Sequence, residues 1–171
     1  MRVAGLSSRV VFALAFAVCA ALLGFGYFLE HARGLAPCNL CVLQRVAFAA
    51  TGLVGLAGAL HGPRGWGRRV YGALGMAAAL TGAGLAGRHI WLQNLPPDAV
   101  PACGPDIGYL VEVFPLHEAL AQVLRGSGDC AQAAPWALLG LGIPHWALVW
   151  FAALALGFGV VMVRRPGRLG L

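Results

Sequence analysis

Charge is what this 171-residue chain has least of. Asp, Glu, Lys and Arg make up 11% of it, where a soluble domain of this size carries about 25%. The twelve basic residues are all arginines, set against six acids. With 60% hydrophobic residues, this balance excludes an ordinary soluble globular domain and places the chain among membrane proteins. No acid falls inside an apolar stretch, which argues against an ion-coupled transporter. No basic–aromatic groove or nucleic-acid motif accompanies the formal charge of +6, so nucleic acid is not an expected partner. Cysteine is scarce as well, at five residues, but the positions of those five carry most of the information.

What is present in quantity is apolar sequence, in four stretches at about 10–29, 42–60, 70–87 and 144–163. Each is long enough to cross a hydrocarbon core of about 30 Å. A backbone exposed to lipid must satisfy its own hydrogen bonds, so each stretch is expected to be a helix. The first stretch is long for a signal peptide, and Val18 before Cys19 suits a lipoprotein cleavage site poorly, so it too is read as a transmembrane helix. Gly52, Gly55 and Gly58 recur every three residues, as do Gly72 and Gly75, and read as close-packing faces between membrane helices. The expected fold is an all-α, antiparallel four-helix transmembrane bundle. It forms one integral membrane domain over 1–171, with outer loops at about 30–41 and 91–143.

An even number of spans puts both termini on one side. That side carries Arg2, Arg9, Arg64, Arg68, Arg69, Arg164, Arg165 and Arg168 and no acid. The other carries Arg33, Arg45, Arg88 and Arg125 with all six acids: Glu30, Asp98, Asp106, Glu112, Glu118 and Asp129. Counting basic residues alone, the positive-inside rule assigns both termini to the cytoplasm, and the basic balance to topology and the anionic leaflet.

Topology then sorts the cysteines. Cys38 and Cys41 fall in or beside the first outer loop, Cys103 and Cys130 in the second, and Cys19 alone within the first span. Four thiols on the outer side lie where disulfides persist, whereas Cys19 reads as a small buried hydrophobe. Zinc fits poorly, because structural sites use two tight pairs and Cys103 and Cys130 are 27 positions apart; no metal is expected. Haem attachment needs a His after the second Cys of the motif, and Val42 stands there. A Cys103–Cys130 disulfide could be structural, closing a long loop for roughly 3–4 kcal/mol. That explanation suits Cys38 and Cys41 badly, since so small a ring removes little chain entropy. The first pair therefore reads as redox-active and the second stays open. Pro37 restricts Ala36 and marks a turn into the second span. Cys41 lies near that helix's start, where the dipole favours negative charge. Arg45 is one turn on, on the same face, where it could stabilise a thiolate or a bound anion.

The run Pro37-Cys38-Asn39-Leu40-Cys41-Val42-Leu43-Gln44-Arg45 resembles the signature of the DsbB family of bacterial disulfide bond formation proteins. So do His89-Ile90-Trp91-Leu92-Gln93, the lone Cys103, Gly126-Ser127-Gly128-Asp129-Cys130, Leu139-Gly140-Leu141 and Ile143-Pro144-His145-Trp146, in order over nearly the whole chain. One departure is Gly104 after Cys103, where some relatives carry an acid. The resemblance implies an enzyme of the bacterial inner membrane that reoxidises the periplasmic dithiol oxidase DsbA and reduces a membrane quinone, ubiquinone or menaquinone. DsbA sits near −120 mV, and this route keeps the periplasm oxidising. Carried over, Cys103 would form the mixed disulfide with DsbA and Cys130 would relay the exchange to Cys38. Cys41 would face the quinone, with Arg45, His89 and Gln93 near its pocket.

Two further features stay open at this level. Leu116, Leu120, Val123 and Leu124 have helical spacing, with His117, Glu118, Gln122 and Arg125 on other faces. That helix could lie on the outer membrane surface or pack on the bundle. The alternatives to the main reading are an oxidoreductase resembling vitamin K epoxide reductase, whose Cys-x-x-Cys comes late in the chain rather than after the first span, and a non-enzymatic scaffold or transporter.

Overall fold

Four helices long and apolar enough to cross a membrane form the body of the protein, as the apolar stretches predict. They are α1 (Ser8–Arg33), α2 (Asn39–His61), α3 (Trp66–Gln93) and, after an outer segment, α7 (Ile143–Val163). The computed structural model describes residues 7–34, 37–105, 107–131 and 137–163. Arg2, Ala36, Asp106, Arg164, Arg165 and Arg168 lie outside the described residues.

The helices run beyond their apolar stretches. The extension matters most in α3, which carries on past Gly87 through Arg88, His89 and Gln93, because no helix breaker occurs before Pro96. His89 is thereby buried on a rigid helix. α1 and α2 end on Gly34 and Gly62, both left-handed (φ 62° and 59°), and the Gly62 N–H closes the last turn on the Gly58 carbonyl at 3.0 Å.

α1 packs on α2, α2 on α3 and α3 on α7, which also touches α1. The glycine rows are the seams. A Cβ on Gly55 would stand 2.9 Å from the Phe12 carbonyl oxygen and 3.1 Å from the Phe16 nitrogen, so at this point α1 and α2 approach backbone to backbone. Gly58 receives the Phe12 ring, while Gly75 and Gly82 receive those of Phe158 and Phe151. Phe12, Phe151 and Phe158 are fully buried as a result, and Phe48 stacks on Phe151 with centroids 3.8 Å apart. Leu53, Leu60, Leu74 and Leu156 face outward, as lipid contact requires.

The outer segment holds a 3-10 turn (Pro97–Ala99), α4 (Ile107–Val113), α5 (Leu116–Arg125) and α6 (Gly128–Ala131). A hairpin then pairs β1 (Ala137–Leu138) with β2 (Leu141–Gly142). This hairpin is not foreseen from the sequence, since Leu139 adopts φ 55° beside Gly140 at φ 77°, a conformation a leucine seldom takes. α5 turns Ala119 and Val123 into a small cluster with Leu110 against Leu43, and leaves Leu116, Leu120 and Leu124 as an exposed apolar row. Arg88 fastens its end. The guanidinium lies 4.2 Å over the Trp91 ring and donates to the Arg125 carbonyl at 2.9 Å.

Candidate redox site

The site forms where α2 begins. Cys38 is the residue that starts the helix and Cys41 lies in its first turn, which brings the two sulfurs to 3.1 Å as free thiols. His89 reaches across from α3. Its Nε2 is 3.9 Å from the Cys38 sulfur and its Nδ1 is 3.9 Å from the Cys41 sulfur. Two amides complete the frame, with Gln44 Nε2 at 3.2 Å from Nδ1 and Gln93 Nε2 at 3.4 Å from Nε2. A neutral imidazole offers one donor and one acceptor nitrogen. In either tautomer, one nitrogen can receive an amide proton while the other points an N–H at a sulfur.

Cys38, Cys41 and His89 each bring one metal-capable atom within 4.8 Å of the others. Yet the imidazole turns a different nitrogen to each sulfur, so one ion could not exploit both closest approaches.

The second pair is divided between two environments. Cys130 is fully buried with Leu40 and Leu92, and Cys38 packs against this cluster. A hydrogen bond to the Cys38 sulfur, then burial, raises the Cys130 thiol well above the ordinary value. Cys103 is exposed. Its thiol is also raised, first by hydrogen bonding to the Asp129 carboxylate and then by that carboxylate's charge. The segments carrying the two run side by side, with the Gly128 N–H donating to the Ala102 carbonyl at 3.2 Å. A Cβ on Gly128 would come within 2.6 Å of the Pro101 oxygen. Glycine is what lets the Cys103 segment lie against α6, which carries Cys130. Cys19 is buried in the α1–α2 seam against Gly52.

Arg45 has a partner that the sequence did not indicate. Its guanidinium is directed to α1, where it pairs with Glu30, donates to the Gly26 carbonyl at 3.2 Å and lies 4.8 Å over the Tyr27 ring. Glu30 was expected only among the outer acids. The physical reason for the pairing is that a cation half removed from water needs an anion near it.

Sequence reasoning missed three residues. Gln44 is 4% exposed, and its polarity within an apolar stretch one turn after Cys41 was the available signal. Glu30 left none. Asn39, inside the Cys-x-x-Cys, donates from Nδ2 to the Pro105 carbonyl at 3.0 Å and accepts at Oδ1 from the Ile107 N–H at 3.0 Å.

Comparison with known proteins adds an independent line. A family model described as "Disulfide bond formation protein DsbB" matches residues 8–161. "Disulfide bond formation protein B" of Marinobacter nauticus is 51% identical over 160 residues, covering 94% of this chain and 95% of the relative. The protein of the same name from Hahella chejuensis is 47% identical over 163 residues (95% and 98%), and that from Nitrosococcus oceani 48% over 165 (96% and 95%).

Proposed function

The chain belongs to the DsbB family of disulfide bond formation proteins, and we propose that within it the chain reoxidises a DsbA-like periplasmic dithiol oxidase and passes two electrons to a membrane quinone, ubiquinone or menaquinone. Membership makes it a disulfide-forming oxidoreductase, and its four apolar helices make it a multi-pass membrane protein. The proposal extends to one integral domain in the bacterial inner membrane, both termini cytoplasmic and both cysteine loops periplasmic.

The observation that carries this reading is the grading of the four thiols. Cys103 is exposed, Cys130 is buried with Cys38 packed against its cluster, and Cys38 is 3.1 Å from Cys41 at the head of a membrane helix. A thiolate of the partner attacks Cys103 of a Cys103–Cys130 disulfide, forming the mixed disulfide and freeing the Cys130 thiolate. The second partner thiolate then resolves the mixed disulfide, which leaves the partner oxidised. Cys130 attacks Cys38 of the Cys38–Cys41 disulfide and releases Cys41 as thiolate. Cys103 next attacks Cys130, which restores the outer disulfide and leaves Cys38 and Cys41 reduced.

DsbA oxidises strongly because its reduced form is stabilised, so its reoxidation calls for a strong final electron acceptor such as a quinone.

The residues suit a quinone, a flat apolar ring with two carbonyl acceptors. His89 offers an N–H donor at the inner pair, Arg45 lies one helical turn after Cys41 on α2, held by Glu30, and Tyr27, Phe28 and Val46 give an apolar outer face. Bound there, a quinone would supply a two-electron acceptor. Arg45 would hold negative charge at the Cys41 end, and His89, framed by Gln44 and Gln93, would move a proton to or from a sulfur.

The test is Cys103→Ser. The variant is expected to lose covalent trapping of DsbA while its Cys38–Cys41 pair, reduced with dithiothreitol, is still oxidised by quinone. Normal trapping through another cysteine would overturn the order of transfer.

A further inference from the structure

Exchange between the loops requires the outer segment to sit in one register over the head of α2, and one side chain spans that gap. Asn39 is the first residue of α2, immediately after Cys38 at the capping position. Its amide crosses 66 positions to the Pro105 carbonyl and 68 to the Ile107 N–H, using both donor and acceptor at 3.0 Å. The segment it grips begins two residues after Cys103. The other end of that segment is held by the Gly128–Ala102 hydrogen bond, two residues before Cys130. Cys103 thus lies between two fastenings, one to the turn bearing Cys130 and one to the motif bearing Cys38. Of the two residues between the inner cysteines, Leu40 is fully buried under Cys130 and Asn39 is half-buried at the edge.

We infer that Asn39 is a positioning residue for the interloop step. It holds Pro105 and Ile107 on α2 so that the Cys130 sulfur is kept on Cys38 rather than on a freely moving loop. The step concerned is the exchange in which the S–S bond between Cys130 and Cys38 forms, that between Cys38 and Cys41 breaks, and Cys41 leaves as thiolate, with no net oxidation. The effect of Asn39 is to convert a loop search into a near-attack geometry.

This inference rests on the proposed relay, so the test separates the two. Asn39→Val removes both hydrogen bonds at similar volume, and Asn39→Asp keeps the acceptor for Ile107 while losing the donor to Pro105. Quinone reduction is measured in the full-length detergent-purified protein with two electron donors, reduced DsbA and dithiothreitol, the latter also in a Cys103→Ser/Cys130→Ser background. Asn39→Val is expected to slow the DsbA-driven rate about tenfold to a hundredfold. The dithiothreitol-driven rate should stay unchanged, and Asn39→Asp should fall between. Acid-trapped Cys38–Cys130 disulfide after a single turnover should drop in parallel. Equal DsbA-driven rates in Asn39→Val and the unaltered protein would overturn the inference alone. A parallel fall with both donors would make Asn39 merely structural and also overturn it. No DsbA-driven rate in the unaltered protein would overturn the relay itself.

Discussion

Arg45 stands where an unpaired cation is expensive, inside the end of a membrane helix, and Glu30 on α1 meets it there. The pair ties the Arg45 charge to the neighbouring helix. Removing that charge should reach the chemistry first. Loss of a charge-assisted hydrogen bond costs about 1.5–3 kcal/mol, so Arg45→Met should lower quinone turnover or raise its KM by roughly 10–150-fold with membrane levels near normal. Glu30→Gln keeps the guanidinium and loosens its hold, and should raise the quinone KM more than it lowers kcat. Steady-state kinetics at saturating reduced DsbA, with folded protein quantified alongside, distinguish these outcomes. Unchanged kinetics in Arg45→Met would remove it from the site.

Asp129 acts on Cys103. Its carboxylate raises the Cys103 thiol, which keeps that sulfur protonated over more of the pH range and lowers its thiolate fraction at neutral pH. Asp129→Asn takes away the charge, so the thiol should return toward its ordinary value. The midpoint of alkylation rate against pH should then move to lower pH, with faster labelling near neutrality, in a variant retaining Cys103 as the sole outer cysteine. A midpoint that stays or rises would exclude the carboxylate as the cause.

At the scale of elements, the seams between helices rest on missing side chains. Gly55 lies where α2 meets the α1 backbone, which cannot move aside, whereas nothing lies within 4 Å of a Cβ on Gly84. Gly55→Val should therefore force α1 and α2 apart and cost about 1–3 kcal/mol of overpacking, while Gly84→Ala should be tolerated. Thermal unfolding in detergent compares the two, and equal loss in both would show that the seam is not the reason for the glycine. The continuation of α3 past its apolar stretch has a different consequence. Arg88, His89 and Gln93 share one helix, so a single element both fastens α5 and frames the thiols.

For the whole molecule, eight arginines against four set the proposed orientation. A phosphatase reporter active only outside the cytoplasm, fused after Leu171, should stay inactive, and the same reporter inserted in the second outer loop should be active. The reverse pattern would invert the topology and with it the compartment of Cys38, Cys41, Cys103 and Cys130.

Membrane class, the number of spanning helices and the location of a close thiol pair were legible in the sequence, because hydropathy and helical or motif spacing are properties of neighbouring residues. The resemblance of Pro37-Cys38-Asn39-Leu40-Cys41 and Ser127-Gly128-Asp129-Cys130 to one family is likewise local in origin. Which groups meet was not legible. That Cys38 packs with Cys130, that His89 bridges two sulfurs, that Glu30 holds Arg45 and that Asn39 grips Pro105 and Ile107 all depend on how far each helix is rotated about its axis. They depend too on how a loop returns after more than sixty residues. Such pairings arise only when the glycine seams have set the helix rotations, and tertiary packing alone sets them.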